Sequence, residues 1–123
     1  MSCHASPAGL IPNSLILGGS GDAGTVSNAQ IVAGLVGVTS AEDPKMNLVT
    51  AGDPTNSFLM HKVDGDQCVA EADCNAGQLA LAYPNCGANM PLNIPPATLA
   101  QTMLLPVTER DKIRAWIKQG ANP

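Results

Sequence analysis

Apolar positions recur at helical spacing in three places along this chain, with Pro- and Gly-rich stretches between them. The first set is Ile31, Val32, Leu35 and Val36; with Ser27 or Asn28 as cap and Gly37 as stop, it predicts a helix of about two to three turns. The second starts where Asp53 can cap and Pro54 brings a helical φ of its own. It runs to about Val63, with Phe58, Leu59 and Val63 as its apolar positions. In the third, Ile113, Trp116 and Ile117 form an i, i+3, i+4 stripe. Thr108 with Asp111 resembles a capping box, and Gly120 supplies a left-handed stop. Trp116 reads as a core aromatic on that helix. Residues 5–25, 39–47 and 64–106 read as loop, apart from the apolar run Leu15-Ile16-Leu17. The fold class is therefore all-α, with about three short helices and long Pro/Gly-rich loops, in a single domain over residues 1–123.

Composition changes this picture in two ways. Only Phe58, Tyr83 and Trp116 are aromatic, although aromatic side chains are the usual large pieces of a small core. An aliphatic core of Leu, Ile, Val and Met is the plain reading. A bulky apolar group held between the helices is the other, and it would supply burial that a chain with 10 Pro and 12 Gly otherwise struggles to achieve. The net charge of -4 argues against nucleic acid, with Lys112, Arg114 and Lys118 reading as the solvated face of the last helix. No run reaches the roughly eighteen apolar residues of a membrane span. Four cysteines in so short a chain point to an oxidising, extracytoplasmic compartment, with any export signal expected upstream of Met1.

The candidate chemistry lies at two distant points. Cys3-His4 is the closing half of the C-x-x-C-H haem attachment signature, whose first cysteine would fall one position before Met1. Met90-Pro91 offers a thioether in a proline-rich stretch, and His with Met is the axial pair of c-type cytochromes. His61 is a rival ligand, although its position between Met60 and Lys62 reads as an exposed or core-edge histidine. Between them lie Cys68, Cys74 and Cys86 with Asp64, Asp66, Glu71 and Asp73. Asp64-Gly65-Asp66 supplies only the first two positions of a calcium loop, and no cysteine pair has zinc spacing. A disulfide from Cys86 to Cys74 or Cys68 is expected instead. Enzyme chemistry finds no support: His61 is the one candidate base, and there is neither a nucleophile elbow nor a recognisable carboxylate pair.

Cys3-His4, the Gly52-Asp53-Pro54 turn followed by Ser57-Phe58-Leu59 and Lys62, the Cys86-Gly87 pair before Met90-Pro91, and the closing Trp116-Ile117 with Gly120-Ala121 share an order along nearly the whole chain. Together they resemble the class I cytochrome c-like domains found in exported proteins of myxobacteria and planctomycetes. In those the order runs from C-x-x-C-H through P-G-D-P-x-x-S-x-L and M-P to W-I-x-x-G-A. The chain departs from that pattern at Ala51, where proline is more common, and in lacking the first attachment cysteine, which leaves Cys3 for a thioether. The resemblance implies three or so helices round one haem c, linked through Cys3 and ligated by His4 and Met90. It also implies electron transfer with a redox partner protein or domain. A haem-free, disulfide-stapled extracytoplasmic binding or structural domain of the same shape is the alternative.

Overall fold

A computed structural model describes residues 20–21, 24–67, 86, 90 and 104–123. In chain order it contains a two-stranded antiparallel hairpin, β1 (Ser20–Gly21) and β2 (Gly24–Thr25), then α1 (Asn28–Ala33), a 3-10 turn (Pro54–Asn56), α2 (Phe58–Asp64) and α3 (Val107–Lys118). Three short helices in a small helical fold match the expectation at that level; the hairpin falls in a stretch read as loop.

Each helix is bounded by local chemistry. At the start of α1, Ser27 and Gln30 form a reciprocal capping box: the Gln30 amide donates to the Ser27 hydroxyl at 3.3 Å and the Ser27 amide to Gln30 Oε1 at 2.9 Å. The helix ends at Ala33, earlier than the apolar spacing suggests, because the next residues pair with another segment. The Gly37 amide donates to the Val49 carbonyl, Val49 N to Leu35 O, and Leu48 N to Val38 O, at 2.7 to 3.1 Å. Residues 39–47 close on themselves through a Thr39–Asn47 bridge. Inside this loop the buried Ser40 hydroxyl accepts from the amides of Glu42 and Asp43, while Asp43 Oδ1 accepts from Lys45 N.

The second predicted helix is in fact two elements. Asp53 caps the 3-10 turn, its Oδ1 accepting from Thr55 N at 3.1 Å and Asn56 N at 3.2 Å. Ser57 then leaves helical conformation at φ -115°, ψ 113°. Its wholly buried hydroxyl accepts from Thr50 N at 2.9 Å and donates to Asp53 O at 2.8 Å, so the break is itself satisfied. The first amides of α2 need no side-chain cap, since Phe58 N donates to Asn47 O and Leu59 N to Leu48 O. Helix α3 differs from expectation at its start. Pro106 stands at the cap, Thr108 makes no capping bond, and Asp111 pairs with Arg114. Its end is a Schellman motif, with Gly120 N donating to Ile117 O and Ala121 N to Trp116 O.

Leu35, Val49, Met60, Val63, Ile117 and Ala121 form the buried core. Burying one such Val or Ile is worth about 1.5 to 3 kcal/mol. Ile31, Leu59, Met90, Ile113 and a half-buried Trp116 pack round its edge. Trp116 is thus a rim residue rather than a core aromatic, its Nε1 donating to Asn122 O at 2.7 Å. Phe58 belongs to a second cluster with the fully buried Cys86. Helix α2 serves both clusters, and its C-terminal Asp64 is gripped by Arg110 and Arg114 of α3 at 2.8 and 2.7 Å. Arg114 is therefore not simply part of a solvated face.

Candidate functional site

Of the residues expected to carry chemistry, Cys3 and His4 lie outside the described residues, as do Cys68 and Cys74. Met90 is described. It is half-buried and packs against the main core, and its amide donates to the Lys62 carbonyl at 2.7 Å. Its thioether belongs to a residue held at an apolar edge, a setting that suits a soft ligand to a largely apolar group.

His61 is engaged at both ring nitrogens. Nδ1 lies 2.9 Å from Asp66 Oδ1 and Nε2 lies 3.0 Å from the Thr55 carbonyl. Both partners are acceptors, so the ring makes both bonds only when it carries two protons. A metal needs a bare imidazole nitrogen, which His61 offers only by giving up one of these contacts. The ring lines an open cleft of about 530 Å³ between the 3-10 turn, α2 and α3, together with Asp53, Asp64, Asp66, Arg114 and Lys118. Such charged walls suit water better than a flat apolar ring. Hydrogen bonds from the side chain and amide of Asn56 hold the Asp53 carboxyl below the usual aspartate value.

Lys62, one residue of the sequence motif, is a buried and fully engaged side chain next to the backbone anchor of Met90. Its ammonium is buried, donating to Cys86 O at 2.7 Å and to Glu42 Oε2 at 2.9 Å, and it sits 5.7 Å from the centre of the Phe58 ring. The signal was present in the spacing: Phe58 and Lys62 are four apart on a helix, so a buried phenylalanine places the lysine stem on the same face. Cys86 itself has the unusual φ of 64° and is disulfide-bonded, its partner lying outside the described residues.

Among the described residues no cluster of three or more His, Cys, Asp or Glu side chains is arranged to hold a metal ion. None of their helices is long and apolar enough to cross a membrane. Comparison with family models, curated proteins and solved structures finds no match for the chain.

Proposed function

We propose that this chain is a haem-binding electron-transfer domain of the cytochrome c-like type, acting outside the cytoplasm with a redox partner protein. Haem c would be linked through Cys3, with His4 and Met90 as the residues that hold the iron. The observation that carries the reading is the setting of Met90: a methionine at the rim of the apolar core, tied by its backbone to α2, whereas the rival His61 has both ring nitrogens engaged.

A bound haem would supply a reversible one-electron couple. With His4 and Met90 as its ligands, the haem would have no position open to substrate, so the domain would pass electrons without turnover of its own. A methionine sulfur as second ligand favours a higher potential than a second histidine. Leu59, Met90, Ile113 and Trp116 all pack against the main core, so the residue that would offer its sulfur belongs to an apolar edge.

The ultraviolet-visible spectrum of protein matured in a host that makes cytochromes c tests the proposal. A Soret band that survives denaturing electrophoresis with the polypeptide is expected. Protein that is folded, disulfide-bonded and free of a Soret band would instead identify the haem-free binding or structural domain.

A further inference from the structure

We infer that Lys62 is the positioning residue for Met90, fixing the chain on both sides of residues 87–89 through two different parts of one amino acid. The Lys62 carbonyl accepts from Met90 N at 2.7 Å, and the Lys62 ammonium donates to Cys86 O at 2.7 Å. Both anchors come from the last turn of α2, whose Phe58, Met60 and Val63 are buried, so the attachment point is well packed.

A buried ammonium is costly to desolvate unless its donors are met and its charge is paired. Here the side chain is 7% exposed and three groups compensate it: Glu42 Oε2, the Cys86 carbonyl and the face of Phe58. Glu42 belongs to the closed loop of residues 39–47, so the ion pair also ties that loop to α2. For stability alone, an apolar residue of similar volume would serve this position as well. What a lysine adds is a charge-assisted donor aimed at one carbonyl, that of Cys86, whose φ of 64° must be held against its intrinsic preference. An arrangement of this kind specifies where a segment sits, and the residue delivered at its far end is Met90.

This inference rests on the haem reading for what Met90 does, but not for how Met90 is held, and the test separates the two. Hydrogen exchange is measured at the Met90 amide in the full chain for wild type, Lys62→Met and Lys62→Arg. Lys62→Met should lower protection at Met90 by about tenfold or more, the factor equivalent to about 1.4 kcal/mol, roughly one hydrogen bond to a charged group. Protection at Ile113 and Ile117 should stay within about twofold, and Lys62→Arg should restore most of the loss. In haem-loaded protein, Lys62→Met should weaken the methionine-to-iron band and let added imidazole bind at about tenfold lower concentration. Unchanged Met90 exchange in Lys62→Met would overturn the inference, and so would an equal loss across α3, which would make Lys62 a residue of general stability. A wild type without a Soret band would remove the haem reading, while the exchange measurement, which needs no haem, would still decide the role of Lys62.

Discussion

Asp64 and Arg110 join the end of α2 to the first turn of α3. Asp64 Oδ1 accepts from Arg110 Nη1 at 2.8 Å, while the Arg110 Nε donates to Leu105 O at 3.1 Å. The second carboxylate oxygen takes Arg114 at 2.7 Å, so one aspartate orders two guanidinium groups on one face of α3. Asp64 and Arg110 are each about one fifth exposed, which places the pair between a buried ion pair and a surface one. Asp64→Ala should therefore cost about 1 to 2 kcal/mol in urea unfolding, less in molar salt. A double-mutant cycle with Arg110→Ala should give a coupling of about 1 kcal/mol; additive losses would show that the contact contributes nothing.

Two helix ends depend on glycine to different degrees. Gly65, which ends α2, has a φ of 73°, close to the left-handed well, and an added Cβ would meet Leu104 Cδ2 at 2.7 Å. Leu104 is 41% exposed and its end is flexible, so it can swing aside. Gly120 has a φ of 104°, well beyond where an alanine is comfortable. Gly65→Ala should thus cost about 1 kcal/mol and Gly120→Ala about 2 kcal/mol. Thermal unfolding that ranks them in the opposite order would mean the Leu104 contact, not the dihedral angle, dominates.

The Asp53 cap gives the fold a dependence on acid. Its folded pKa lies below the ordinary 3.8 because Asn56 donates to it through both side chain and amide. A depressed carboxyl contributes stability that is fully present above the unfolded value and is lost as pH falls through the lower folded one. Relative to Asp53→Asn, wild type should lose stability only below about pH 4. An NMR titration of the Asp53 carboxyl with a midpoint at or above 3.8 would contradict this.

The periodicity of apolar residues found α1, α2 and α3, and the Gly120 stop was legible because only a residue at ease with positive φ closes a helix that way. What the pattern could not reveal was pairing between distant backbones. The bonds of residues 47–48 to Phe58 and Leu59 and of Val49 to Leu35 decide where α1 ends and why Ser57 interrupts the predicted helix. The capping box at Thr108 failed for a local reason, since Asp111 finds Arg114 on the next turn. At the candidate site, Met90 and His61 were singled out by residue type. Residue type gives no such signal for the buried Lys62, because lysine is so seldom found inside.

The sulfur of Cys86 gives a covalent test of the same region. Peptide mapping of non-reduced protein should join the Cys86 peptide to that of Cys74, or failing that Cys68. A bridge there limits how far the segment before Met90 can move. Recovery of Cys68, Cys74 and Cys86 all as free thiols would remove the expectation.

Under the haem-binding proposal the second ligand would be Met90 or His61, and the two make opposite demands on the fold. Met90 is already fixed at its amide, and nothing described at its side chain must be broken for the sulfur to act as a ligand. His61 would have to release Asp66 or Thr55 before a nitrogen was free. Breaking one such exposed hydrogen bond costs about 0.5 to 1 kcal/mol, against which Met90 carries no comparable cost. In haem-loaded protein, Met90→Ala should abolish the methionine-to-iron absorption near the red end of the oxidised spectrum and open the iron to added imidazole or cyanide. His61→Ala should leave both unchanged while lowering stability by about 1 kcal/mol through loss of the Thr55 and Asp66 contacts. If His61→Ala instead produces the high-spin spectrum and Met90→Ala does not, the domain is a bis-histidine cytochrome of lower potential, and the hydrogen bonds of His61 are broken when haem binds.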